Sequence, residues 1–167
     1  MSDAINEDLR LLAAIAYGEA SVANDSDEIG GIAFAVANRC RAWGGKSVSQ
    51  LRATDRNYAY AWNGTNQRFN KLMSTPDDKL DADSGMRLAV EWARKALENE
   101  GPDPSNGAFW WDGRDFMTAY ASHPKVKDTF KWGGAVAQHF RSTGESWDVR
   151  HAMESGKQED WKNSRWH

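Results

Sequence analysis

Two segments within the first forty residues repeat apolar side chains with the period of an α-helix. The first follows Asn6, a favourable N-cap residue, and we expect it to stop near Gly18 or Glu19, where a polar run begins. Its apolar positions are Leu9, Leu12, Ala13 and Ala16. This pattern predicts an amphipathic or buried helix at the start of the chain.

A polar stretch over residues 20–28 follows as a loop, and the second segment opens within its last residues, at Asp25 or Ser26. This segment ends before Gly44 and Gly45. Its small side chains permit close approach to another helix. The predicted buried stripe consists of Ile29, Ile32, Ala33, Val36, Ala37 and Cys40. We therefore expect this helix to pack closely against another helix.

The rest of the chain predicts further helices and a small β element. The patterns predict a short helix around Val48–Arg52, a clear helix over about Ser84–Glu100 and a short strand with a turn over Ala108–Gly113, while residues 135–142 are ambiguous between helix and strand. The polar connection over residues 54–82 is either functional or contains small elements of its own. We therefore expect a single mainly α domain over residues 1–167, with its core at about 6–142 and a C-terminal extension over 143–167.

Composition excludes several functional classes. A net charge of -3 gives no basic field for nucleic acid, and the apolar run Leu11–Tyr17 is too short to span a bilayer. With one cysteine, Cys40, and four scattered histidines, no disulfide, metal site or cofactor is predicted. The acidic N-terminus lacks the features of a Sec signal peptide, so we expect synthesis in the cytoplasm and export, if any, by another route.

Glu19 is the strongest candidate for acid catalysis. It stands where an apolar helix ends, so both desolvation and the negative end of the helix dipole should raise the pKa of its carboxyl group. A carboxylic acid that stays protonated near neutral pH can protonate the leaving oxygen of a glycosidic bond. From position alone, an ordinary glutamate, exposed and solvated at a helix end, is the favoured interpretation, and the case for the acid depends on the resemblance described next.

The order of several motifs resembles the cell-wall hydrolase family typified by spore-cortex-lytic enzymes. The segment Leu12–Ala20, with its Tyr-Gly-Glu-Ala turn, and the segment Ile29–Arg39, which closes on Ala-Asn-Arg, are similar to the opening of that family. Asn106–Trp111 and His139-Phe140 are similar to its later motifs. The resemblance covers roughly residues 9–141, and it departs from the family at residues 20–23, Ala-Ser-Val-Ala.

This resemblance implies a lysozyme-like helical domain of the goose-lysozyme or lytic-transglycosylase kind, with Glu19 as the essential acid. The implied substrate is the peptidoglycan strand of alternating muramic acid and glucosamine. A looser resemblance to type VI secretion effectors implies an antibacterial toxin that acts in the periplasm of a rival cell and is neutralised by an immunity protein in its cleft. A phage-type lysis enzyme fits the same features.

A second carboxylate decides between hydrolysis and lytic transglycosylation. The sequence leaves six candidates open, of which three have an alternative role as charges at the start of the second helix and one as a turn residue. They are Asp25, Asp27, Glu28, Asp55, Asp112 and Asp115. If none of them approaches Glu19, the C6 hydroxyl of muramic acid supplies the nucleophile and an anhydro product results.

Nine tryptophans in a polar chain predict an aromatic binding surface, because flat rings stack on the faces of sugars. Four aromatic residues are the predicted stacking platforms: Tyr58, Tyr60, Trp62 and Trp110. Ser21, Asn66 and Gln67 are candidates for bonding sugar hydroxyl or acetamido groups. A non-catalytic glycan-binding module would use the same aromatics, whereas an amidase or peptidase would need a zinc or Cys-His constellation that the sequence lacks.

Overall fold

A computed structural model describes residues 5–42, 44–54, 64–113, 126–131 and 135–140 of the chain. This part is mainly helical, as predicted, and carries one small sheet. The helices are α1 (Glu7–Glu19), α2 (Ser26–Ala42), α3 (Val48–Thr54), α4 (Gln67–Ser74), a 3-10 helix (Asp77–Ala82) and α5 (Ser84–Glu98), and the strands are β1 (Trp110–Gly113), β2 (Val126–Lys131) and β3 (Ala135–Phe140).

Helix α1 is the central helix of the described core. Asn6 caps it as predicted, because its side chain accepts a hydrogen bond of 2.8 Å from the Leu9 backbone N–H. From Leu11 to Tyr17 every residue is buried, whereas an amphipathic surface helix would expose one face. Helices α2, α3, α4 and α5 all contact α1, so the end of α1 is positioned from several sides.

The predicted close approach of the second helix occurs at Gly30. A Cβ atom there would lie 2.6 Å from the indole ring of Trp92 on α5, so only glycine allows this packing. The same indole donates a 3.0 Å hydrogen bond to the Ser26 hydroxyl and meets the Phe34 ring edge-on at 6.2 Å. These contacts join α2 to α5 through Ser26, Gly30 and Phe34. The stripe that the sequence predicted, from Ile29 to Cys40, is buried as well.

The long polar connection contains elements of its own, namely α4 and the 3-10 helix. Asp83 then caps α5 by accepting from the Met86 backbone N–H at 3.0 Å, and it forms an ion pair with Lys71 of α4. Helix α5 ends at Glu98, where Asn99 adopts the left-handed conformation with φ 54°. The predicted end at Glu100 was therefore two residues too late, because an asparagine caps the helix before Gly101.

The sheet is antiparallel with strand order β1-β3-β2. Trp110 of β1 pairs with Gln138 of β3, so the ambiguous segment near residue 135 is a strand and the short strand at residue 110 is confirmed. Strand β2 was not predicted from the sequence. The C-terminal extension predicted over residues 143–167 lies outside the described residues.

Candidate active site

Glu19 is the last residue of α1, and its side chain is half-buried. Burial raises the pKa of its carboxyl group, and a hydrogen bond with the Trp111 side chain of β1 opposes that rise without cancelling it. The indole N–H is a donor only, so it donates to the carboxyl group. The predicted direction of the pKa shift is confirmed, and desolvation is its larger cause.

Three of the last four carbonyl groups of α1, those of Ala16, Tyr17 and Gly18, have hydrogen-bond donors. The Ala20 N–H donates to the Ala16 carbonyl at 3.1 Å, as a helical turn would. Side chains next to or within α4 supply the other two donors: Arg68 Nε donates to the Tyr17 carbonyl at 2.7 Å, and Asn66 Nδ2 donates to the Gly18 carbonyl at 2.9 Å. Because helix ends otherwise leave carbonyls without partners, these bonds hold the backbone that carries Glu19.

Asn66 uses both ends of its amide for structure. Its Oδ1 accepts from the Phe69 backbone N–H at 3.0 Å and so caps α4, while its Nδ2 holds α1. The sequence had suggested Asn66 as a sugar ligand; in the structure both ends of its amide have a structural partner, and the sugar contact stays a prediction. An N-cap signal ahead of Phe69 and Leu72 was present in the sequence, but their spacing does not reveal the bond to α1.

Gly18 permits the close contact between α1 and α4. A Cβ atom at this position would lie 2.9 Å from Phe69 Cβ and 3.0 Å from Asn66 Oδ1. The sequence predicted a helix end near Gly18 or Glu19, and α1 ends at Glu19. The glycine in the Tyr-Gly-Glu-Ala turn therefore allows α4 to pack against α1 directly before Glu19.

Arg68 joins α1 to the loop that follows Glu19. Its guanidinium lies 3.8 Å from the centre of the Tyr17 ring, and its Nη2 donates to Asn24 Oδ1 at 2.6 Å. A cation at the carboxyl end of a helix also opposes the negative end of the dipole. No sequence signal distinguished Arg68 from the other cations of the polar connection.

Glu28 also binds the loop that follows Glu19. Only 1% of its surface is exposed, and its Oε1 accepts a 2.6 Å hydrogen bond from the Ser21 backbone N–H. All three acidic residues lie at the start of α2, as the alternative role had them. Asp25 Oδ1 accepts from the Glu28 N–H at 2.9 Å, Asp27 is exposed in the first turn, and Glu28 lies in the same turn but is enclosed.

The Glu28 carboxylate is close to Glu19 in space. Chain geometry places the Ser21 nitrogen, and hence the oxygen bound to it, within about 9 Å of the Glu19 Cα. A catalytic base must reach water, however, and Glu28 is enclosed. Of the remaining candidates, Asp55 and Asp115 lie outside the described residues, as does the Asp112 side chain.

The predicted sugar-binding residues are only partly described. Ser21 is half-buried in the loop after the acid, and Gln67 is exposed at the first position of α4, next to Asn66. Trp110 lies in β1, but its side chain is outside the described part. The predicted platforms Tyr58, Tyr60 and Trp62 also lie outside it. These assignments stay predictions.

Trp111 is a residue of the candidate site that the sequence did not single out. The doublet of adjacent tryptophans was recognised, and the stacking role was given to the first of them. Periodicity in a four-residue strand cannot decide which of two neighbours faces a helix end elsewhere in the fold. The hydrogen bond to Glu19 shows that the second tryptophan, Trp111, faces the end of α1.

Comparison of the chain with protein-family models, with curated proteins and with solved structures gives no match. Among the described residues, no group of three or more His, Cys, Asp or Glu side chains is placed to hold a metal ion. Within the same residues, no helix combines the length and the apolar character needed to cross a membrane.

Proposed function

We propose that the chain is a peptidoglycan glycosidase in which Glu19 donates a proton to the bridging oxygen between N-acetylmuramic acid and N-acetylglucosamine. The observation that carries this proposal is the half-buried carboxyl group at the end of α1, whose pKa is raised by burial. General acid catalysis needs a carboxyl group that keeps its proton at the working pH. The Trp111 N–H then stabilises the carboxylate that remains after the proton has left.

A lysozyme-like architecture is part of the same proposal. A buried central helix that ends in the acid, surrounded by helices and with a three-stranded antiparallel sheet next to the acid, supports it. The contacts of Tyr17 and Gly18 give a physical reason for the Tyr-Gly-Glu-Ala turn on which the family resemblance rests.

Hydrolysis is the first mechanism to test, and lytic transglycosylation is the second. The described carboxylates nearest in sequence to Glu19 favour the second, because Asp25 caps α2, Asp27 lies on the exposed first turn and Glu28 is enclosed. In that mechanism Glu19 first protonates the leaving oxygen. The resulting carboxylate then removes the proton of the muramic C6 hydroxyl, whose oxygen attacks C1 and gives a 1,6-anhydro end.

Digestion of purified sacculi tests the function. The wild-type protein should release soluble muropeptides, and Glu19→Gln should not, while both still bind sacculi. Mass spectrometry separates the mechanisms, because anhydro ends indicate transglycosylation and reducing ends indicate hydrolysis. Glu98→Gln, an exposed glutamate near the end of α5, is the matched control and should keep full activity.

Equal activity of Glu19→Gln and the wild type would refute the assignment. Binding of sacculi without any cleavage by the wild type would instead favour a non-catalytic glycan-binding module. An inhibitor that blocks the site is also proposed, as expected of a secreted antibacterial toxin. Val22, 82% exposed and three residues after Glu19, supplies an apolar contact for such a partner. An inhibitor that copurifies yet leaves glycan cleavage intact would count against this.

A further inference from the structure

An open cleft lies between the loop that follows Glu19 and one face of α5. Its volume is about 610 Å³. Six residues line it: Ala23, Asn24, Ser84, Arg87, Leu88 and Glu91. The four from α5 recur at helical spacing and therefore form one continuous wall.

Asn24, which lines this cleft, is connected to the candidate active site through Arg68. Asn24 adopts the left-handed conformation with φ 54°, and its Oδ1 accepts from Arg68, which also holds the Tyr17 carbonyl of α1. A Cβ atom on Gly85 would lie 2.6 Å from the same Asn24 oxygen, so the loop is in close contact with α5. The position of the cleft is therefore fixed relative to the end of α1.

The rim of the cleft carries two opposite charges. Arg87 and Glu91 are both exposed and stand four residues apart, which brings their Cβ atoms to about 6 Å. Within the described residues, neither side chain forms an ion pair or a hydrogen bond, whereas Lys71 and Asp83 near the same helix end are paired with each other. The Arg87 guanidinium can bind a carboxylate, and the Glu91 carboxylate can bind an ammonium group.

We propose that this cleft binds the diamino-acid residue of the peptidoglycan stem peptide through its zwitterionic end, an inference that rests on the proposed function. In the diaminopimelate type of stem, the free end bears an ammonium and a carboxylate on one carbon. Arg87 binds the carboxylate, Glu91 binds the ammonium, and Leu88 packs against the methylene chain.

The separation from Glu19 suits this ligand. Ala23 is four residues from Glu19, so its Cα lies within about 14 Å of the Glu19 Cα. The stem peptide begins on the lactyl group of the muramic acid that Glu19 would act on, and three extended residues span roughly 10 Å. A glycan strand positioned for cleavage can therefore place its own stem in the cleft.

An NMR titration with soluble tripeptides tests the subsite without requiring cleavage. The probes are L-Ala-γ-D-Glu-meso-diaminopimelate and its counterpart with L-Lys, which lacks the second carboxylate. The diaminopimelate peptide should shift the amide signals of Asn24 and Leu88, and the lysine peptide should bind about tenfold more weakly, since one charge-assisted hydrogen-bond set is lost.

A pair of matched double variants gives the control. Arg87→Ala/Glu91→Ala should weaken binding of the diaminopimelate peptide by at least about tenfold. Arg94→Ala/Glu98→Ala removes the same two charges two turns further along α5, away from the cleft, and should bind like the wild type. Both variants leave the net charge unchanged, and circular dichroism checks that both are folded.

Failure of the wild type to bind the diaminopimelate peptide, or equal binding by Arg87→Ala/Glu91→Ala, would overturn the subsite. Equal binding of the two probes would overturn its zwitterion specificity and with it the proposed pairing of Arg87 with the second carboxylate. Sacculus digestion is measured separately. If the wild type leaves sacculi intact, the glycosidase proposal fails, while the peptide titration still decides the subsite.

Discussion

Replacement of Gly18 by alanine tests whether the contact between α1 and α4 positions the acid. The new Cβ would stand 2.9 Å from Phe69 Cβ and 3.0 Å from Asn66 Oδ1. Phe69 is buried and its Cβ is next to the backbone, so it cannot yield without moving α4. Overpacking of this kind costs about 1–3 kcal/mol. Loss of the Asn66 cap adds about 1 kcal/mol, and the higher helix propensity of alanine offsets about 1 kcal/mol.

The expected net effect is a decrease of about 1–3 kcal/mol in the free energy of unfolding. Urea denaturation monitored by tryptophan fluorescence measures it. Because the strain acts one residue before Glu19, the folded variant should also cleave sacculi more slowly, by about tenfold or more, since small displacements of a catalytic group are costly.

Gly30→Ala is the matched control for this experiment. Its Cβ would meet the Trp92 ring at 2.6 Å, so it should also destabilise the protein, but the contact joins α2 to α5 and not the end of α1. Its folded fraction should therefore retain wild-type activity. Gly18→Ala that is as stable as the wild type, or equal activity losses in the two variants, would refute the positioning role of Gly18.

Three further substitutions probe the surroundings of Glu19. Trp111→Phe removes the hydrogen bond that lowers the pKa of Glu19, so the pKa should rise further and the basic limb of the pH–rate profile should move to higher pH. Glu28→Gln keeps an acceptor for the Ser21 N–H and should retain activity, whereas Glu28→Ala removes the acceptor of that partly buried N–H and should cost about 0.5–1.5 kcal/mol of stability in urea denaturation. Asn66→Asp keeps the cap of α4 but loses the donor to α1, so it should be more stable than Asn66→Ala yet impaired in sacculus cleavage.

Each of these has a contrary outcome. An unchanged or lowered basic limb in Trp111→Phe would mean that the indole does not stabilise the carboxylate. Loss of activity in Glu28→Gln with unchanged stability would identify Glu28 as a catalytic base and make hydrolysis the preferred mechanism. Full activity in Asn66→Asp would show that the bond to the Gly18 carbonyl is dispensable.

The sequence predicted those parts of the fold that depend on local patterns. The cap at Asn6, the start of α2 and the buried stripe of α2 follow from residue type and helical spacing, and all are present. Strand β2 was missed because its residues, Val-Lys-Asp-Thr-Phe-Lys, show no clean alternation, and its pairing has an irregularity between Val126 and Asp128.

The candidate site was predicted less completely because most of its contacts join distant parts of the chain. Glu19 was found from its place after an apolar helix, and the direction of its pKa shift followed from burial. The bonds from Asn66 and Arg68 span about fifty residues of sequence. Which tryptophan reaches Glu19, and whether Glu28 faces solvent or the loop, depend on tertiary packing that no local pattern records.

Direct titration of the Glu19 carboxyl group decides whether the site keeps its proton. The protein is labelled with ¹³C at glutamate carboxyl groups, and the Glu19 signal is assigned by its absence in Glu19→Gln. Burial should place its midpoint above the pKa of a free glutamate side chain, and the midpoint should move higher still in Trp111→Phe. A midpoint at or below the ordinary glutamate value would contradict the role of Glu19 as the proton donor.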